Sequence, residues 1–262
     1  MATSNISGAG RVLWLTGASG GLGPGIAKRL AGAGYRLGLH AGSNVDKVRK
    51  LAASLTSSGT EVAVTSGNLA DESVAANSLS AVRELLGDPW GVVHLAGPYH
   101  HADVIDHSRE DFDAMIEGNV TTLFEVLRAT VPVMRAQGAG RIVAAGMVGA
   151  HQTLPMRHNG PHLAAKAAVT SLIRTLALEE ATHGITANVI SPGHIPHKEL
   201  DRVEARAKAA GPSHPMGMHG SYEDLAEAIL FLLSESASYI TGAVLEVTGG
   251  WMGEDVVPHK HG

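Results

Sequence analysis

The sequence predicts an α/β protein built on a doubly wound parallel sheet with helices on both faces. Strands that are apolar throughout alternate with amphipathic helical segments along the chain, the pattern of a sheet covered on both sides. The first strand runs directly into a glycine-rich loop and a helix, a phosphate-type turn that favours an open doubly wound sheet over a barrel. With 262 residues, 44% of them hydrophobic, the chain can bury a substantial core.

Arg11-Val-Leu-Trp-Leu-Thr16 has the β-branched and aromatic character of a buried strand, and it stops at the stretch Gly17 to Gly25. Ile26 and Leu30 then recur at helical spacing until Gly32 and Gly34 end them, and Tyr35 to His40 reads as a second strand. The alternation continues with a helix over 44–57, a strand over 61–65, a helix over 71–86 and the apolar run Gly91 to Ala96. A helix over 109–136, a strand over 141–145, a helix over 161–182 and a strand over 185–190 follow. A helix over 221–234 and a strand over 243–247 complete the series. Val169, Leu172, Ile173 and Leu176 share one helical stripe, as do Leu225, Ala228, Ile229 and Leu232. Ser221 and Asp224 are spaced as a capping box before the second stripe. No linker or repeat divides residues 1–262, which are read as one domain. The long break at 191–220 crowds Pro, His, Gly and charged residues, and its part from 194 to 220 is read as a substrate lid.

Composition excludes several classes. The net charge of −5, without runs of like charge, argues against nucleic acid or an anionic membrane surface as partner. The absence of cysteine removes disulfides, thiolate nucleophiles, iron–sulfur clusters and Cys-based zinc sites. Residues 1–10 lack a basic start followed by an apolar run, and no window approaches the ~18 apolar residues of a membrane span. The expectation is a cytoplasmic protein acting on a small molecule.

In Thr16-Gly17-Ala18-Ser19-Gly20-Gly21-Leu22-Gly23, backbone N–H groups and a helix N-terminus can hold a pyrophosphate. Gly17-Ala-Ser19-Gly-Gly21 also matches the G-x-S-x-G elbow of a serine hydrolase. That fold needs an oxyanion donor from an earlier strand, and only about ten residues precede this one. A Walker A reading fails for want of Gly-Lys-Ser/Thr.

The spacing Thr16-Gly17-x-x-x-Gly21-x-Gly23 resembles the short-chain dehydrogenase/reductase family, and further segments agree in order. Asn68-Leu69 sits where the family contacts adenine. His94-Leu-Ala96-Gly97 is similar to its Asn-Asn-Ala-Gly with the first two residues changed, and Asn119 matches its helix asparagine. Ser191-Pro192-Gly193 resembles the Pro-Gly after the sixth strand, and Ile240-Thr-Gly242 through Gly249-Gly250-Trp251 the terminal strand and glycine pair. The resemblance implies a Rossmann-like sheet of about seven strands, a nicotinamide dinucleotide, and a homotetramer or homodimer. It implies cofactor contacts from Gly17, Ser19, Gly20, Gly21, Leu22, Gly23, His40, Ser43, Asn68, Leu69, Ala96, Gly97, Lys166, Pro192, Gly193 and Ile195.

The catalytic segment departs from the family. Its Tyr-x-x-x-Lys, which shares one helical face, reads His162-Leu-Ala-Ala-Lys166 here, and no other tyrosine stands four residues before a lysine. The family's serine falls on Gly146 or Met147, and Ala144 to Gln152 contains no hydroxyl. Carbonyl reduction needs a hydride, a proton, and a donor that polarises the oxygen. His162 can take the tyrosine's part as acid or base, with the Lys166 ammonium depressing its pKa; Lys166 and Asn119 complete the expected catalytic set. A dinucleotide-binding protein without turnover is the alternative.

Tyr99, Met147, His151, His158 and His194 are candidates to meet substrate, with His100, His101 and His197 nearby in sequence; His259 and His261 are tail residues. No HExxH occurs, and His158/His162 and His194/His197 have ligand spacing but no carboxylate companion, so no metal is expected. His40-Ala41-Gly42-Ser43-Asn44 offers neither an acid for the ribose of NAD nor an arginine for the phosphate of NADP. It resembles the small polar loops of NADP-dependent relatives, so NADP is favoured over NAD.

Overall fold

The computed structural model describes residues 8–208 and 214–252. Seven strands form one sheet: β1 Val12–Thr16, β2 Arg36–Ala41, β3 Val62–Ser66, β4 Pro89–His94, β5 Gly140–Ala145, β6 Ile185–Pro192 and β7 Val244–Val247. Their order is β3-β2-β1-β4-β5-β6-β7, and every neighbouring pair is parallel. Around it pack α1 Gly23–Gly32, α2 Val45–Ser57, α3 Glu72–Leu86, α4 Arg109–Ile116, α5 Thr122–Gln137, α6 Gly160–Glu180, α7 Arg202–Arg206 and α8 Tyr222–Leu233. The strand order reverses between β1 and β4, which opens a crevice at the carboxyl ends of the strands.

Alternation along the buried strands distributes the core to both faces. Leu13 and Leu15 pack with Ile26, Leu30, Leu39, Ile229 and Leu233 on the α1/α8 side. Val12 and Trp14 pack with Val82, Val92, Leu123, Met134, Ile142 and Ile173 on the α3/α5/α6 side. Each fully buried large side chain contributes about 2 kcal/mol of transfer free energy. The expected capping box forms, with Ser221 Oγ and backbone N–H both directed to Asp224. Among the described residues no helix is long and apolar enough to cross a membrane.

Four expectations need correction. The run Gly91 to Ala96 leaves the sheet after His94, because β1 ends opposite it and Leu95 N makes the last bond to the Thr16 carbonyl (3.2 Å). The single helix expected over 109–136 is α4 and α5 joined by a π-helical segment, Glu117–Thr121. Asn119, within that segment, bonds inward to the Pro98 and Met115 carbonyls, a side-chain insertion at the π-helical turn. On α6 the buried stripe is His162, Lys166, Val169, Ile173 and Ala177, while Leu172 and Leu176 are only half-buried. Finally, the break after the sixth strand begins later than expected, since Pro192 still belongs to β6. It also contains α7, started by an Asp201/Glu204 capping box. Residues 209–213 of the expected lid, His259 and His261, and most of residues 1–10 lie outside the described residues.

Candidate active site

A cavity of about 1090 Å³ opens where the loops leave β1, β2, β4, β5 and β6. Every residue expected to contact the cofactor lines it, from Gly17 to Ile195. Gly17 (φ +75°) is required by close approach, since a Cβ there would lie 2.7 Å from the Ala96 nitrogen. Gly20 has nothing within 4 Å of its missing Cβ, and Gly21 has only the Lys198 side chain at 3.6 Å. The next helix starts without a side-chain cap and without an acid in its first turn, so its N-terminal N–H groups and dipole remain available to an anion. These features fit a pyrophosphate. Asn68 and Leu69 follow β3, with Asn68 Nδ2 donating to Glu117 Oε1 at 2.8 Å. Ser43 reaches the wall, but His40 is buried: Nδ1 lies 2.9 Å from Thr65 Oγ1 and Nε2 3.0 Å from the Gly67 carbonyl. Its imidazole is thus engaged within the protein, and burial lowers its pKa.

The spacing of His162 and Lys166 places both side chains on the buried face of α6, and both line the cavity. Lys166 Nζ donates to the Ala145 carbonyl at the end of β5 (2.9 Å), and burial lowers its pKa to about 8. His162 is held down to about 4, first by burial and then by Lys166, with the Pro98 carbonyl opposing and Lys198 adding to the shift. Burial, and not the Lys166 ammonium expected from the spacing, is the larger cause. At neutral pH His162 is therefore neutral, and its Nδ1 has no partner. Tyr99 stands edge-to-face with it at 5.0 Å between ring centroids, bringing a phenol into the same cavity from the β4 side.

Two expected site residues do not reach the cavity wall. Asn119 is fully buried, its Nδ2 3.1 Å from the Pro98 carbonyl and 3.0 Å from that of Met115, while its neighbours Gly118 and Thr122 form the lining. It braces the β4 loop, where Gly97 must lack a side chain because a Cβ would lie 2.1 Å from Asn119 Oδ1. His151 is turned toward Glu246, 3.5 Å from Nδ1 to Oε1. Met147, His158 and His194 do line the cavity, and His158 pairs with Asp103 at 2.7 Å.

Arg157, Lys198, Met156 and Trp251 also line it and were missed. Arg157 adjoins His158, which offered a signal; Lys198 lies in the least regular segment, where periodicity gives none. Ser19, the serine of the G-x-S-x-G match, lines the cavity in the loop between β1 and α1.

A family described as enoyl-(acyl carrier protein) reductase matches residues 17–252. The chain belongs to the short-chain dehydrogenase/reductase family. A 3-oxoacyl-(acyl-carrier-protein) reductase of Rickettsia felis is 33% identical over 247 residues, covering 93% of this chain and 97% of the relative. A structure from Bacillus thuringiensis described as a 3-oxoacyl-reductase superposes with a TM-score of 0.83 at 28% identity, covering 92% of this chain and 98% of that one. A gluconate 5-dehydrogenase from Burkholderia cenocepacia J2315, in complex with NADP and tartrate, shares the fold with a TM-score of 0.83 at 24% identity over 94% of this chain and 97% of its own. The short-chain dehydrogenase/reductase assignment carries the oxidoreductase class and a nicotinamide cofactor.

Proposed function

We propose that this short-chain dehydrogenase/reductase is an NADP-preferring oxidoreductase of a carbonyl/alcohol pair, with His162 in the place of the family's tyrosine. The observation that carries the reading is one cavity holding both the uncapped glycine loop and the His162/Lys166 pair. When bound, the nicotinamide supplies or takes the hydride. Gly17 and Ser19 to Gly23 hold the pyrophosphate, and Ser43, Asn68 and Leu69 receive the adenosine end. Lys166, Ala96, Gly97, Pro192, Gly193 and Ile195 hold the nicotinamide half. His162 takes the proton from an alcohol during oxidation and returns it, as imidazolium, during reduction. Asn119 acts by positioning the β4 loop. Tyr99, Met147, His158 and His194 surround the substrate, with Arg157 adding positive charge to the wall.

The NADP preference rests on residues 40–44, which offer no carboxylate to repel a 2′-phosphate. NADP(H) should therefore raise the melting temperature more than NAD(H); equal shifts, or a larger one with NAD(H), reject the preference. A second reading, dinucleotide binding without turnover, is favoured by one observation: Gly146 and Met147 leave the end of β5 without a hydroxyl. Binding of both dinucleotides with no oxidation or reduction across a broad carbonyl and alcohol panel would decide for it.

A further inference from the structure

The segment between β6 and α8 brings together three histidines that lie far apart in sequence. His194 follows the Pro192-Gly193 turn and forms part of the cavity wall, His214 lies twenty positions later, and the buried His219 precedes Ser221, the N-cap of α8. One ring nitrogen from each falls within 4.8 Å of the other two, and His194 Nδ1 is 3.0 Å from His214 Nε2. Ring centroids are 5.1 Å (His194 to His214), 5.9 Å (His194 to His219) and 4.8 Å (His214 to His219) apart, and Trp251 covers His194 at 5.7 Å.

We propose that His194, His214 and His219 are the ligands of a divalent transition-metal ion at the margin of the cavity. Nitrogens at ~2.0–2.1 Å from a tetrahedral zinc stand roughly 3.3 Å from one another, so the observed spread needs shifts of about 1 Å or less at the side-chain ends. Among the described residues the cluster consists of three imidazoles, a nitrogen donor set that favours a borderline ion such as Zn²⁺ over Mg²⁺ and Ca²⁺, which require oxygen donors. Three ligands from the described residues occupy three corners of a tetrahedral ion. The ion also ties His194, which follows β6, to His219, which precedes α8, beside Trp251. Neither consequence depends on the identity of the acid/base group.

Among the described residues a second group, His100, His107 and Asp111, is less suited. Asp111 Oδ2 already accepts from the backbone and hydroxyl of Ser108 as the helix cap, and His100 is exposed.

The test is calorimetric titration of the untagged full chain, stripped of metal, with Zn²⁺ alone, together with the visible spectrum of the Co²⁺ form. The expected result is one saturable site per chain and the intense absorption of four-coordinate cobalt. His214→Gln and His219→Gln should each weaken binding at least about tenfold. His107→Gln, and the paired change His259→Gln/His261→Gln, should leave it unchanged. Loss of the site on either control change would overturn the proposal, as would unchanged affinity in His214→Gln with its melting temperature preserved. Dinucleotide titration of the metal-free chain keeps the two readings apart: an intact cofactor site with no zinc site refutes only the metal.

Discussion

Burial governs both His162, which the proposed function sets in the place of the family's tyrosine, and His94 at the end of β4. Neutral His162, with its pKa lowered to about 4, is a ready base but a scarce acid. The reductive rate should therefore decline as pH rises above about 4, while the oxidative rate climbs up to that value and then stays level. Both should fall above about 8, where Lys166 loses its proton. A reductive rate that is flat between about pH 5 and 7 would contradict this assignment. His94 is lowered to about 3 by burial first and by Lys166 second, with Thr16 Oγ1 2.9 Å from its Nδ1; His40 is lowered as well. In the unfolded chain each titrates near ~6.5, so the native state binds fewer protons below that pH. Stability is complete above ~6.5 and is lost on acidification, at about 1.4 kcal/mol per pH unit for each histidine down to its folded value. Urea midpoints should fall from pH ~7.5 to ~5.5, and His94→Asn should remove one proton from the slope. Equal midpoints for the wild type would refute the assignment.

At the scale of elements, what was legible in the sequence is what local pattern encodes. Apolar runs marked the strands, the glycine loop marked the phosphate end, and the i, i+4 spacing of His162 and Lys166 placed both on one face of α6. Assembly between distant segments was not legible. The inward turn of Asn119 depends on the Pro98 carbonyl, the turn of His151 depends on Glu246 in β7, and His194 meets His214 and His219 from twenty or more positions away. Lys198 belongs to the same class. From an irregular stretch its Cδ comes within 3.6 Å of a Cβ position on Gly21, and its charge reaches His162. Lys198→Ala should raise the dinucleotide Kd roughly tenfold, the ~1.4 kcal/mol of one charge-assisted phosphate contact, and should lessen the salt dependence of binding. Since Lys198 is exposed, the melting temperature of the free protein should not move. Unchanged affinity at low salt would remove Lys198 from the phosphate site.

The molecule joins the seven-stranded sheet, the cavity at its carboxyl edge and an outer surface with apolar side chains on α5 and α6. Phe124 on α5 is 47% exposed and Leu178 on α6 81%, which supports the homodimer or homotetramer implied by the family resemblance. Light scattering at micromolar concentration should give a dimeric or tetrameric mass, and Leu178→Glu should lower it; a monomeric wild type would contradict this. The central claim is that the glycine loop and the His162/Lys166 pair form a single dinucleotide-dependent catalytic site. It is tested most directly by measuring dinucleotide binding and NADPH consumption on a carbonyl panel, side by side, for the wild type and His162→Phe. The account predicts turnover by the wild type, and its loss in His162→Phe with dinucleotide affinity preserved. Turnover in His162→Phe at the wild-type rate with an unchanged pH profile would contradict it and pass the acid/base role to another group, Tyr99 first.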